Sequence, residues 1–236
     1  MFCTDIYEPR VSDYTQTGRL SFEAMLQIIE NTANHHMIAA HDKLVNGDIA
    51  WVLADWRVVI KECPTEGQKL HVRTWTRAKA RAAAIPRDFL VTGDDGREFF
   101  RANARFALLD MKTKRLVRIT EELLEAYGPE SEQIFDDEAP RLKAPEEFDF
   151  VGPLVLRRSD MDYNGHVHNT RYITFAEEAL PAEEYRENDF SSFRIVCASS
   201  VEAGSHPEIR RTALANGWLF TIYADGHVCT LIQLLK

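Results

Sequence analysis

The sequence predicts an α+β chain of two homologous halves, with two long helices each wrapped by a curved, mostly antiparallel sheet. Three observations predict it. A turn design occurs twice, an amphipathic helix pattern follows each copy, and strand patterns joined by Asp-Gly recur in the same order in both halves.

The first copy of the turn reads Asp13-Tyr14-Thr15-Gln16-Thr17-Gly18-Arg19-Leu20, and the second reads Asp160-Met161-Asp162-Tyr163-Asn164-Gly165-His166-Val167. After the first come Leu26, Ile29, Ala33 and Met37 at helical spacing. After the second come Tyr172, Ile173, Phe175, Ala176 and Ala179, stopped by Pro181. Ser21 and Asn169 stand where helix caps are expected. Alternating strands follow at Trp56–Ile60 and Phe193–Cys197, each leading to a Gly-containing turn, Thr65-Glu66-Gly67 and Glu202-Ala203-Gly204. Asp95-Gly96 then joins Phe89–Val91 to a strand over Phe99–Leu109, and Asp225-Gly226 joins Leu219–Tyr223 to Val228–Leu235. The expected organisation is a first half over 1–128, an acidic linker over 129–148 and a second half over 149–236.

The chain has 236 residues, 45% hydrophobic and 28% charged, enough for two domains of roughly 100 residues each. No apolar run approaches the roughly 20 residues that span a bilayer, and Met1-Phe2-Cys3-Thr4-Asp5 lacks the basic-then-apolar pattern of a leader. Cys3, Cys63, Cys197 and Cys229 form no CxxC pair, which argues against zinc and disulfides. A cytoplasmic protein with reduced thiols, no membrane and no metal is the expectation. A net charge of -9 argues against nucleic acid as partner. Residues 57–118 are nevertheless net basic, through Arg73, Arg77, Lys79, Arg81, Arg87, Arg101, Arg105, Lys112, Lys114, Arg115 and Arg118. That stretch is either a solvated strand face or a docking patch for an acidic partner.

Only the second turn carries reactive groups. Asp162, Asn164 and His166 stand where the first has Thr15, Thr17 and Arg19, and residues two apart in an extended segment share a face. Such a trio suits attack on an acyl carbonyl. Asp162 is the candidate base or nucleophile, Asn164 holds water or carbonyl, and His166 orients or exchanges protons. Backbone N–H groups from Gly165 to Val167 are expected to receive negative charge. His35, His36 and His41 are assigned to solvent or to caps, and Cys197 to a core strand.

At these residues the chain resembles the acyl-ACP thioesterases of bacteria and plant plastids, whose second half carries Asp-x-Asn-x-His-Val-x-Asn followed by a Tyr, an aromatic residue and a Glu. Asp162, Asn164, His166, Val167, Asn169, Tyr172, Phe175 and Glu178 match in register; Trp51-Val52-Leu53, Thr74-Trp75 and Ala107-Leu108-Leu109-Asp110 through Arg118-Ile119 extend the match. The resemblance implies a tandem (double) hotdog and hydrolysis of fatty acyl-ACP thioesters. Acyl carrier protein would be the acyl donor, and the substrate would bring its own phosphopantetheine, so that no cofactor is needed. It places the acyl chain mainly in the first half, with Met25, Ile29 and Ala33 as candidate substrate-binding residues, and gives Arg157 and Arg158 a role in docking the acidic carrier.

One position departs from the family. Ser200 stands where the second carboxylate is expected, and Glu202, two residues on, has the same strand parity. The alternatives are an acyl-CoA thioesterase of the same fold and a non-catalytic acyl- or carrier-binding hotdog protein; a hotdog dehydratase is a third. Two fused halves make either a monomer or a homodimer sufficient.

Overall fold

The computed structural model describes residues 1–42, 48–78 and 84–236. Lys79 and Arg81 lie outside the described residues. The chain divides into two compact units, Met1–Glu138 and Ala139–Lys236, so that the division falls inside the acidic segment 129–148.

In the first unit, β1 (Cys3–Tyr7) precedes a single 3-10 turn and then α1 (Phe22–Ala39). Helix α1 starts where a cap was expected, because Ser21 Oγ accepts the Ala24 N–H at 3.1 Å. Its inner face is apolar at helical spacing: Phe22, Met25, Leu26 and Ile29 are almost wholly buried. Each such side chain contributes roughly 1.5–3 kcal/mol through burial. Ala33 lies toward the edge of that face and is only partly covered.

The strands are β2 (Ile49–Ile60), β3 (Leu70–Thr76), β4 (Ala84–Thr92), β5 (Glu98–Asp110) and the short β6 (Arg115–Leu116), with α2 (Glu121–Ala126) following. They pair antiparallel in the order β1-β3-β4-β5-β2, with β6 also on β5. Helix α1 packs on β1 and β3. Alternation sets the inner face, where Leu70, Val72, Phe89, Val91, Ala102 and Ala104 are buried.

Most of the basic stretch is neutralised within this unit. Arg73 pairs with Glu132, Arg77 with Asp88, Arg101 with Glu98, Arg105 with Asp55 and Lys112 with Asp48. Lys114, Arg115 and Arg118 remain exposed. Residues 130–137 lie against the sheet: Glu130 N–H donates to Thr76 O, Trp75 Nε1 to Glu132 O, and Arg57 holds Asp137 while covering the Phe135 ring.

The first unit's core contains a polar cluster that corrects the expectation for His36. This side chain is fully buried, and Arg87, 5% exposed, reaches its Nδ1 at 2.8 Å and Thr74 Oγ1 at 3.3 Å. Helical spacing puts His36 two turns beyond Ile29 and one beyond Thr32, on the buried face, which a reading of histidine as polar overlooks. Burial, and then the Arg87 charge, lowers its pKa to about 4. An unfolded chain takes up that proton near pH 6.5, whereas the folded chain refuses it until about pH 4. The contribution is therefore intact above pH 6.5 and declines as pH falls through this window, by roughly 3 kcal/mol in all. Urea midpoints between pH 7 and 4.5 should fall less steeply for His36→Gln than for wild type; equal slopes would contradict this.

In the second unit, β7 (Phe150–Pro153) precedes a 3-10 turn over Arg158–Asp160, then α3 (Arg171–Glu178) and α4 (Ala182–Glu187). Strands β8 (Ser192–Cys197), β9 (Glu208–Leu214), β10 (Gly217–Ala224) and β11 (His227–Leu235) follow. Their antiparallel order is β8-β11-β10-β9-β7. The hairpin at Asp225-Gly226 has φ of 51° and 78°, the paired left-handed values of a two-residue turn. Helix α3 has 8 residues against 18 in α1, because Pro181 prevents its extension. Asn169 is not its cap. That place falls to Thr170, whose hydroxyl is engaged with His168 Nδ1 at 3.0 Å. Acidic-segment residues also dock here, with the Pro140 carbonyl accepting from Arg194 and the Glu147 carbonyl from Thr212 at 2.7 Å. Among the described residues, no helix is long and apolar enough to cross a membrane.

Candidate active site

The repeated turn is the same object in both units, down to its hydrogen bonds. In the first, Arg10 N–H donates to Asp13 Oδ2, Ser21 N–H to Asp13 O, Thr15 N–H to Arg19 O, Gly18 N–H to Thr15 O and Leu20 N–H to Pro64 O. In the second, the same bonds run from Arg157 to Asp160 Oδ2, His168 to Asp160 O, Asp162 to His166 O, Gly165 to Asp162 O and Val167 to Val201 O. Gly18 and Gly165 take φ of 74° and 80°, a conformation that costs a residue with a Cβ about 1 kcal/mol or more. A further β-bridge closes each turn against a distant segment, Arg19 with Thr65 and His166 with Glu202.

Identical scaffolding therefore presents Thr15, Thr17, Arg19 and Thr65 in one unit, and Asp162, Asn164, His166 and Glu202 in the other. In the second turn, Asp162 Oδ1 accepts the N–H groups of Asn164 at 2.8 Å and His166 at 3.1 Å. This fixes the carboxylate and leaves Oδ2 with a single long contact, from Asn164 Nδ2 at 3.4 Å. Oδ2 is thus the oxygen available to a water or an acyl carbon. Asn164 is exposed, so its amide is free to meet a ligand.

The N–H groups expected to receive negative charge are spent. Gly165 donates to Asp162 O, His166 to Asp162 Oδ1 and Val167 to Val201 O. Spacing alone counted these donors without the partners that the turn and the bridge supply. The exposed Asn164 side-chain amide is a donor that these bonds leave beside Asp162 Oδ2.

Ser200 is not the residue that bridges to this group. Strand β8 ends at Cys197, and the N–H groups of Ala198 and Ser199 both donate to Cys229 O, so the chain leaves the ladder and Ser200 is exposed. Val201, buried and tied to Tyr172 Oη at 3.3 Å, re-enters beside Val167. Glu202 then lies across from His166, with Oε1 4.0 Å from Nε2. Parity counting had put Glu202 two residues too far along; it assumed a continuous strand, and the irregular segment 198–200 removes that displacement. The sequence signal that could have found it is the match of Thr65-Glu66-Gly67 with Glu202-Ala203-Gly204.

Met25 and Ile29 lie in the first unit's buried helix face, with Ala33 at its margin. Cys197 is half-buried at the end of β8. His35 pairs with Asp5 at 2.7 Å, and Arg157 and Arg158 are exposed on the segment that enters the turn.

Residues 3–127 match the acyl-ACP thioesterase N-terminal domain, and residues 143–228 match the C-terminal domain of the same family. The chain belongs to the acyl-ACP thioesterase family. Its two units are the tandem hotdog of that family. A palmitoyl-acyl carrier protein thioesterase from Cuphea hookeriana is 28% identical over 191 residues, covering 74% of this chain and 46% of the relative. The chain thus spans about half the length of the plant relatives it matches. Among solved structures, the 12:0-ACP thioesterase from Umbellularia californica superposes with a TM-score of 0.88 at 21% identity, covering 99% of this chain and 96% of that one. An acyl-ACP thioesterase from Bacteroides thetaiotaomicron gives 0.87 at 19%, covering 99% and 97%.

Proposed function

We propose that this chain hydrolyses fatty acyl-ACP thioesters to free fatty acid and holo-ACP. The observation that carries the reading is the asymmetry of the duplicated turn: one scaffold, with Asp162, Asn164, His166 and Glu202 on only one copy. Membership of the acyl-ACP thioesterase family supports this reaction class. Asp162 Oδ2 activates a water for attack on the thioester carbonyl, the Asn164 amide stabilises the oxyanion, and the C–S bond breaks as His166 delivers a proton to the leaving sulfur. Glu202 is a positioning residue that lies across the bridge from His166 and steadies its ring. The acyl chain lies in the first unit along Met25, Ile29 and Ala33. Exposed Arg157 and Arg158 and the Lys114, Arg115 and Arg118 cluster suit an acidic carrier, since complementary charge speeds encounter.

The test is thiol release from a panel of acyl-ACPs, with acyl-CoAs of the same chains beside them. Faster release from acyl-ACP supports the reading. Equal or faster release from acyl-CoA replaces the donor, and tight acyl-ACP binding without release identifies a binding protein instead.

Glu202→Gln should lower kcat about threefold to tenfold with little change in KM, a modest loss because Glu202 is 72% exposed and solvent screens the pair. Glu202→Asp should restore part of it. Ser200→Glu should give no gain, because Ser200 is exposed in the irregular segment and it is Glu202 that bridges to His166. A large gain with Ser200→Glu, or no loss with Glu202→Gln, would return the second carboxylate to position 200.

A further inference from the structure

Arg87 presents a problem in electrostatics. Its guanidinium is 5% exposed, yet among the described residues no carboxylate lies within ion-pair distance of it. Its contacts are neutral: His36 Nδ1 at 2.8 Å, Thr74 Oγ1 at 3.3 Å and the Tyr127 ring, whose centroid is 5.5 Å away. Burying an unpaired charge is among the most costly features a core can carry. The acids on the flanking elements are engaged elsewhere. Asp88, next in sequence, points to the opposite sheet face and is held by Arg77; Asp42 accepts from Trp51 and Tyr127; Asp5 accepts from His35.

A second observation lies beside it. Thr76 pairs with Arg87 across β3 and β4, so both side chains share the inner face; it is 1% exposed and its Oγ1 has no hydrogen-bond partner. On the other side, Arg87 pairs with Ala104, which contributes only a methyl group. The local chemistry is rich in donors. Arginine only donates, so His36 Nδ1 must accept and its remaining proton sits on Nε2. Guanidinium, hydroxyl and imidazole N–H together call for an oxygen acceptor.

Along α1 the buried line runs from Met25 through Ile29 to Thr32 and His36, a rise of about 16 Å over which it turns from apolar to polar. Thr32 is satisfied by the Ile28 carbonyl at 3.1 Å. The polar end of the line is therefore defined by His36, Arg87 and Thr76. We infer that this cluster is a subsite for an oxygen function carried toward the distal end of an acyl chain, with Arg87 as its anchor. The inference rests on the reading that the first unit holds the acyl chain. A methyl terminus arriving here would further desolvate an unpaired cation. A hydroxyl or carboxylate terminus would supply the acceptor the core lacks.

The experiment is calorimetric binding to the full chain of the methyl esters of saturated fatty acids matched in length and ending at the far carbon in methyl, hydroxyl or carboxyl, with Arg87→Met and Thr76→Val in parallel. Wild type should bind an oxygen-ended chain roughly tenfold more tightly than the methyl-ended one, as a charge-assisted hydrogen bond allows. The hydroxyl and carboxyl arms distinguish a neutral from an anionic acceptor. Arg87→Met should reverse the preference, and Thr76→Val should reduce it by a smaller factor. Equal or tighter binding of the methyl-ended chain by wild type overturns the subsite, as does an unchanged ratio in Arg87→Met. If that variant does not fold, an unchanged ratio in Thr76→Val overturns it. Thiol release from methyl-ended acyl-ACP without the binding preference would remove the subsite and leave the thioesterase. The binding preference without release would do the reverse.

Discussion

Asp162→Asn is expected to reduce thioester hydrolysis by roughly 10²–10⁴-fold in kcat, the span removed with a general base, while leaving the fold and acyl-ACP binding in place. Asn is the informative replacement. Its carbonyl oxygen still accepts the N–H groups of Asn164 and His166 that Oδ1 holds at 2.8 and 3.1 Å, so the turn persists and only the charge on Oδ2 is lost. Asp162→Ala removes both and is expected to be no more active, with added loosening of the turn. His166→Ala should also be severely slowed, since the proposed mechanism draws the proton for the departing sulfur from that ring. Single-turnover thiol release, with circular dichroism as the control for folding, reads these effects. Rates near wild type for Asp162→Asn and His166→Ala would dismiss the second turn as the reacting centre. In that case the asymmetry between the two turns would need a structural explanation.

The largest stability loss is expected at Asp88→Ala. Asp88 is wholly buried on the outer face of β4, with Arg77 bound at 2.6 and 2.9 Å, Asn103 Nδ2 at 2.5 Å and the Ile134 N–H at 3.1 Å. A carboxylate with so many donors is compensated; removing it leaves Arg77 half-sheathed and takes an acceptor from the Asn103 amide and the Ile134 N–H. Breaking a buried pair from one side costs about 3–5 kcal/mol, a large part of the 5–15 kcal/mol typical of a domain. Residues 130–137 should loosen as well, because Ile134 is tied through the same carboxylate. Urea unfolding and proteolysis in that segment provide the measurements. A loss below about 1 kcal/mol would mean that Arg77 finds water or another acid at little cost.

Asp88 also illustrates what local reading misses. Arg87 and Asp88 are adjacent and opposite in charge, which invites pairing, yet a strand sends neighbouring side chains to opposite faces. One is bound by Arg77 outside, and the other is left inside with His36 and Thr74. No feature of the dipeptide announces that division, and only the packing of α1 on the sheet decides which face is dry.

By itself the sequence determined the features that depend on a few consecutive residues. The two turns, the glycines at Gly18 and Gly165, the Ser21 cap, the halt at Pro181 and the Asp-Gly hairpins all follow from local sterics and short hydrogen bonds. Alternation and helical spacing likewise sorted most side chains between core and solvent, and the asymmetry of the turns singled out Asp162, Asn164 and His166. The tertiary structure alone decided what depends on where a ladder breaks and which polar groups lose water. The segment 198–200 leaves β8 and brings Glu202 opposite His166; the bridge to Val201 consumes the Val167 N–H; Thr170 takes the place expected for Asn169; and Arg87 is sealed in without an acid. Strand register and desolvation are sums over residues far apart in the chain, so no window of sequence contains them.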